Sequence, residues 1–452
     1  MTTKILLVNP WIYDFSAYDF WNKPIGLLYL ASLLRMNGAD VFFVDCLDPW
    51  HADVHCEKQG VLPKRKSTGQ GTYLRHIIPK PDPLKGIPRK YYCFGITPDL
   101  FLKRVKSMPV PDIVMMTSMM TYWYPAVFAM VRLIHQTFPG VPVVLGGNYV
   151  TLCPEHASIS GAEFILAGPA ELTIPVLLKN LYNQDMRFLP DHDHLDSYPY
   201  PAFDLIPHPD QVPIMASRGC PYDCSYCASR LINDRFRRRD PIRVADEIEH
   251  WHTYLDIKHF SFYDDALLID PDDMAIPLLK ELIRRNLPIQ FHCPNGLHLR
   301  DITPELGNLM FKAGFRTIRF GFETSDGLRQ RSTGGKVDNQ KLTDAVAHLT
   351  CAGYRNDDIG AYLLCGLPGQ SAEEVTESIR FVRSCGARPI IAEYSPIPGT
   401  GLWKEAMDSS PYPIAQEPLF QNNTLIPCRN DSITYEMYQS LKLMCRTPDR
   451  DL

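Results

Sequence analysis

Apolar positions along the chain gather into short continuous runs separated by segments of helical period. That is the pattern of strands buried on both faces of a helix-covered parallel sheet. In the first part the runs are 4–9 (KILLVN), 40–45 (DVFFVD), 112–118 (DIVMMTS), 141–145 (VPVVL) and 163–167 (EFILA). Between them, Pro24 to Gly38 opens with proline and closes with glycine, as a helix does, and a second helical pattern lies at 126–138. The alternation predicts an α/β fold beginning with a Rossmann-like, doubly wound domain over residues 1–186.

A second series starts at 213. Its strands are 213–217 (PIMAS), 259–264 (HFSFYD), 289–294 (IQFHCP), 317–322 (TIRFGF), 359–364 (IGAYLL) and 389–394 (PIIAEY). Helical patterns at 244–256, 273–285, 340–351 and 372–385 lie between them. This is too few strands for a closed eight-stranded barrel, so a partial (βα)6 barrel over 213–400 is expected. Proline-rich 187–212 is the expected linker, and 401–452 a C-terminal region capping the barrel mouth. No internal repeat or low-complexity tract interrupts the pattern.

Residues 50–100 break the rhythm of the first domain with Lys64-Arg65-Lys66 and six prolines (Pro63, Pro79, Pro81, Pro83, Pro88 and Pro98). Such an insertion is either a surface loop or a lid over substrate or cofactor. Within the linker, Asp191-His192-Asp193-His194 is either a solvated polar stretch or a metal site.

Hydrophobic residues at 45%, charged residues at 21% and a formal net charge of −5 describe an ordinary globular protein. They argue against a strongly basic nucleic-acid binder. No run approaches the ~20 apolar residues of a membrane span, and 4–10 is too short for a secretory signal core. A cytoplasmic location is the expectation. Thirteen cysteines are then many for a reducing compartment. Cys46, Cys153, Cys351, Cys365 and Cys385 are expected to be small buried hydrophobes.

Three cysteines differ because they stand together: 218–227 (RGCPYDCSYC) places Cys220, Cys224 and Cys227 in C-x3-C-x2-C spacing after the first strand of the second series. Thiolates ligate zinc and iron–sulfur clusters. A structural zinc site needs a fourth ligand at short spacing, yet the next Cys or His is His250, then His252, and the next cysteine Cys293. A 4Fe–4S cluster on three thiolates would instead keep one iron open to a small molecule.

This motif resembles the radical S-adenosylmethionine (SAM) superfamily. The resemblance implies a 4Fe–4S cluster held by Cys220, Cys224 and Cys227, with the open iron chelating the methionine part of SAM. It also implies electron transfer that yields a 5′-deoxyadenosyl radical. By the same resemblance Tyr226 lies beside the adenine, and Asp265 or Asp264, in 262–265 (FYDD), recognises the cofactor's amino group. Glu323, in 319–325 (RFGFETS), and Asn295 reach the ribose. The stretches 363–370 (LLCGLPGQ) and 394–400 (YSPIPGT) are similar to the family's fifth and sixth strand endings. Arg235, Arg237, Arg238 and Arg239, beyond the cysteines, form either a solvated face or a docking site for an acidic substrate or reductant.

The first domain is similar to that of the cobalamin-binding subclass. The similarity rests on Asn9-Pro10, 24–34 (PIGLLYLASLL), Ser118 with Met120, Gly146-Gly147 and 168–171 (GPAE) ending in Glu171. It implies that Asn9, Pro10, Ser118, Gly146, Gly147 and Glu171 contact cobalamin: Ser118 bonds its polar face, and the glycines admit its nucleotide tail. The Asp-x-His-x-x-Gly motif that supplies cobalt's lower ligand is absent, since 9–16 reads NPWIYDFS. Residues 119–125 (MMTYWYP) are either core or a corrin-facing wall.

Together these resemblances imply a cobalamin-dependent radical SAM enzyme that methylates an unactivated carbon of a small-molecule or peptide substrate. Its electrons would come from a donor such as flavodoxin or ferredoxin. Rearrangement or cyclisation is the alternative within the family. A non-catalytic iron–sulfur protein with Cys293 as fourth ligand is the alternative outside it. No catalytic residue is assignable.

Overall fold

The computed structural model describes residues 2–50 and 61–446. The chain divides into two units between Val212 and Pro213.

In the first unit Ile5, Leu6, Leu7 and Val8 are all buried, so strand β1 (Lys4–Asn9) has no wet face and must lie inside a doubly covered sheet. The remaining strands are β2 (Ile12–Asp14), β3 (Asp40–Asp45), β4 (Arg75–Ile78), β5 (Tyr91–Phe94), β6 (Ile113–Met116), β7 (Val143–Leu145) and β8 (Phe164–Ile165). Five of them form a parallel sheet in the order β3-β1-β6-β7-β8. The helix Tyr124–Thr137 shows why the sheet is covered, because it turns Ala126, Val127, Met130, Val131 and Ile134 inward as one stripe. Strand order reverses between β1 and β6, and in open α/β sheets ligands bind outside the carboxyl ends of the strands at such a point.

The insertion is not a plain loop. β4 and β5 join β2 in a three-stranded antiparallel sheet, with Tyr91, Cys93 and Phe94 buried. Its prolines flank the strands rather than interrupt them, so they punctuate a sheet that has little apolar run of its own. Arg65 ties the insertion down through a buried ion pair with Asp19 at 2.8 Å and a second contact to Asp210 at 3.3 Å. Residues 51–60 of the expected insertion, and 447–452 of the expected cap, lie outside the described residues.

The second unit is built from β9 (Val212–Ile214), β10 (Ser217–Arg218), β11 (Arg237–Arg238), β12 (His259–Phe262), β13 (Gln290–His292), β14 (Phe315–Glu323), β15 (Ile359–Cys365) and β16 (Arg388–Glu393). Six of these lie in sequence order, β9-β12-β13-β14-β15-β16, with parallel pairing along the sheet. Helices cross between them: Pro241–Leu255, Ala275–Arg285, Pro304–Ala313, Asn339–Ala352 and Ala372–Ser384. This is the open (βα)6 barrel. Residues after 400 add the helices Trp403–Ser409 and Tyr435–Met444, and Ala406, Ile414 and Cys428 join Leu364, Leu367 and Tyr394 in a small core. No helix among the described residues is long and apolar enough to cross a membrane.

Candidate functional site

The cysteines sit on a loop closed at its base by the antiparallel ladder β10–β11, Ser217 opposite Arg238 and Arg218 opposite Arg237. Gly219 begins the loop at φ +81°, where a Cβ would fall 2.6 Å from the Arg235 carbonyl oxygen, so only glycine fits. Two other segments grip the loop. Ser225 N–H donates to the Thr333 carbonyl at 3.2 Å, and its own carbonyl accepts from Leu402 N–H at 2.8 Å. Gly334, at φ +131°, lies so close that an added Cβ would stand 3.1 Å from Cys224 Cα and 3.2 Å from its sulfur. Gly334→Ala is therefore expected to strain the loop by ~1–3 kcal/mol and to lower the iron retained after reconstitution and desalting. Gly335→Ala, at φ +59° but with nothing within 4 Å of its Cβ, shares the backbone strain without the clash and is expected to keep more of that iron.

Cys220, Cys224 and Cys227 open into one cavity of about 270 Å³, which Tyr226, Asp265, Asn295 and Glu323 also line. Tyr226 lies on the cysteine loop, and the other three reach the cavity from different strand ends. Asp265 follows β12, and its carboxylate accepts from Ser229 Oγ at 2.6 Å. Asn295 follows β13 and donates to the Tyr263 carbonyl at 2.9 Å. Glu323 ends β14 at φ +72°, beside a register shift against β15, a strained conformation of the kind that gathers at functional sites. Tyr226 also packs against the small core built by residues after 400.

Asp264 does not belong to this group. It is buried beneath the cavity, where its carboxylate accepts from Ala216 N–H at 3.0 Å and Ser217 Oγ at 2.6 Å. Burial pushes its pKa up to about 6. It ties β12 to the start of the cysteine loop, and Asp265 alone faces the cavity. Both aspartates lie beyond the end of β12, where the chain turns, and that turn sends one carboxylate beneath the cavity and the other into it.

Two residues that no motif announced complete the wall. Lys336 places Nζ 2.6 Å from Glu323 Oε1 and 5.6 Å from the centre of the Tyr226 ring. Burial lowers its pKa, but Glu323 and Cys224 more than offset this and leave it raised. His298 is buried with Nε2 3.9 Å from the Cys220 sulfur. Neither has spacing to betray it, since Lys336 follows the helix Gly327–Ser332 and His298 lies beyond β13.

Burial raises the pKa of all three cysteines, Cys220 to about 11, while Lys336 lowers those of Cys224 and Cys227. Without bound metal they are thiols, and cationic iron would be what holds them as thiolates. Among the described residues no three Cys, His, Asp or Glu groups could hold a single metal ion. In Asp191–His194, His194 Nδ1 lies 2.6 Å from Asp191 Oδ2 on the exposed surface. Cys293, the alternative fourth ligand, is buried and lies outside the cavity wall. Of the other cysteines, Cys46 and Cys365 are buried as expected; Cys153 and Cys385 are half-buried and Cys351 is exposed.

Three of the four arginines after the loop are held in close ion pairs. Arg237 pairs with Asp234 at 2.6 Å, Arg238 with Asp270 at 2.6 Å, and buried Arg239 with Glu247 at 2.5 Å; only Arg235 is exposed.

In the first unit the residues singled out cluster at the carboxyl edge of the sheet. Asn9 donates to Asp45 at 2.7 Å, Pro10 is buried, and Ser118 Oγ donates to the Gly146 carbonyl at 2.7 Å. Gly147, at φ +97°, would place a Cβ 2.3 Å from the Ser118 carbonyl oxygen, so it is required by the loop's own packing. Gly146 is more open, with nothing nearer its Cβ than the Leu166 oxygen at 3.5 Å. Glu171 stands in the first turn of the helix Ala170–Tyr182. Tyr122 is buried and Trp123 donates to Asp14 at 2.7 Å, so these aromatic residues are packing. The exposed apolar surface belongs instead to Met119 (36%), Met120 (40%) and Phe20 (55%), the first linked to Phe20's loop through Asn22.

The sequence profile of the radical SAM superfamily matches residues 214–382, and that of the B12 binding domain matches residues 90–178. The chain is a radical SAM protein of the B12-binding subclass. This radical SAM protein is similar, at 27% identity over 66% of its length and 70% of the relative's, to an uncharacterized methyltransferase of Pyrococcus horikoshii. It is also similar, at 26% identity over 90% of its length and 70% of the relative's, to an anaerobic magnesium-protoporphyrin IX monomethyl ester cyclase of Rubrivivax gelatinosus. Among solved structures, the radical SAM methyltransferase TsrM of Kitasatospora setae shares the fold, with a TM-score of 0.66 at 16% identity over 90% of this chain and 76% of that one.

A radical SAM domain beside a B12-binding domain implies a 4Fe–4S cluster, SAM and cobalamin. The second unit fits the first two: Cys220, Cys224 and Cys227 share a cavity with Asp265, Asn295 and Glu323, and no fourth cysteine lines it. The first unit fits a corrin, because apolar side chains stand exposed beside Ser118 at the edge where a doubly wound sheet binds its ligand.

Proposed function

We propose that this radical SAM protein transfers a methyl group to an unactivated carbon of a small molecule or peptide. The observation that carries the reading is the convergence of Cys220, Cys224, Cys227, Asp265, Asn295 and Glu323 on one cavity. When bound, the cluster, SAM and cobalamin supply one-electron reduction, hydrogen abstraction and methyl donation.

The chain's own residues bind and orient. The three cysteines hold the cluster and keep one iron open. The Asp265 carboxylate, fixed by Ser229, receives an ammonium group, and Glu323, fixed by Lys336, receives hydroxyls. Tyr226 supplies an aromatic wall. Asn9, Pro10, Gly146 and Glu171 border the corrin edge, with Met119 and Met120 as its apolar contact. A flavodoxin- or ferredoxin-type donor in the cytoplasm is the proposed electron source.

Anaerobic reconstitution with iron, sulfide and hydroxocobalamin, followed by desalting and an optical spectrum, tests this reading. About one retained corrin beside the cluster band is expected. A cluster band without corrin would leave a radical enzyme whose first unit has another use.

The likeness to the cyclase across most of the chain supports a second reading, cyclisation without methyl transfer. Products separate the two. Methylation releases S-adenosylhomocysteine as well as 5′-deoxyadenosine, whereas cyclisation releases only the latter.

A further inference from the structure

We propose that His298 is a positioning residue that donates an Nε2–H hydrogen bond to the Cys220 sulfur and thereby sets how easily the bound cluster is reduced. The inference rests on the reading of Cys220 as a cluster ligand.

Geometry carries it. Nε2 lies 3.9 Å from the sulfur, in the range of a hydrogen bond to a large acceptor atom. An iron-bound thiolate has no proton, so in that pair the ring must be the donor. The ring is also held in place. Leu297, beside it, donates its N–H to the Arg319 carbonyl at 2.7 Å, and its carbonyl accepts from Gly321 N–H at 3.3 Å. A Cβ on Gly296 would fall 2.7 Å from Gly321 N, so this stretch lies directly on β14. On the other side the imidazole packs on Tyr222, ring centres 4.8 Å apart, and the Tyr222 hydroxyl accepts from Arg300 at 2.9 Å.

Hydrogen bonds to cluster sulfurs raise the reduction potential, because they stabilise the more negative reduced form. A cluster that must deliver an electron from a weakly reducing donor gains from such a bond. In this role His298 acts through the Cys220 sulfur.

The test compares the full-length protein with His298→Phe, which keeps bulk without a donor, and His298→Gln, which restores an N–H. All are reconstituted with iron and sulfide in the absence of SAM and titrated by EPR-monitored potentiometry. The expected result is unchanged iron content in His298→Phe with about tenfold fewer reduced clusters at a fixed potential, ~59 mV for a one-electron couple. His298→Gln recovers part of that loss. Equal midpoints in all three fully loaded proteins would overturn the proposal. So would a strong nitrogen coupling in the wild type, which marks imidazole bound to iron. If His298→Phe does not fold, wild type alone decides through a solvent-exchangeable deuteron coupled to the cluster. Its absence overturns the proposal. Wild type that takes up no cluster at all sinks the reading beneath it, a distinct result.

Discussion

Cys224→Ala is expected to retain no stable cluster: iron falls from about four per chain to background, and the optical change on adding SAM disappears. Of the three thiols Cys224 is the most enclosed, pressed by Gly334 on one side and facing Lys336 on the other. Its loss takes one of only three protein bonds, and the cavity has no fourth cysteine to replace it. Cys293→Ala is the control, because that buried thiol lies off the cavity wall and its loss should leave iron content intact. Iron retained by Cys224→Ala at wild-type level would refute the assignment of the loop.

The second large effect is on stability. Glu247→Ala should cost ~3–5 kcal/mol, since it strands the Arg239 guanidinium in a buried position. Both side chains are nearly inaccessible, and Arg239 N–H groups also donate to the Met215 carbonyl at 3.1 Å, next to the cysteine loop. The urea midpoint of the second unit reports the loss. The double change Arg239→Met with Glu247→Leu should regain most of it, because removing both charges leaves neither unpaired. If the double variant is no more stable than Glu247→Ala, the pair is not what the fold depends on.

How much of this was legible in the chain depends on which physical signal each residue leaves. β1, β3 and the barrel strands announce themselves because buried parallel strands are apolar throughout, and their observed limits fall within a few residues of the apolar runs. The cysteine loop is legible because spacing itself is the chemistry. The insertion hides its sheet, since β4 (RHII) is half exposed and its partner β5 pairs in turn with β2, which lies before the long interruption. Asp264 and Asp265 cannot be told apart without knowing which way the chain turns after β12. Lys336 and His298 are single residues on loops, brought to the cavity by backbone contacts of Gly334 and Gly296 that leave only a glycine as trace. The arginine cluster misleads for the opposite reason: its charges are conspicuous, but their partners Asp234, Asp270 and Glu247 are scattered along the chain.

The short ladder that joins β10 to β11 has a consequence for what the cluster is asked to hold together. Ser217 and Arg218 are zipped to Arg238 and Arg237, so the chain's own pairing brings the ends of the cysteine loop to one place. The entropy of closing that loop, which grows only slowly with its length, is then shared by the polypeptide and does not fall on the three sulfur–iron bonds alone.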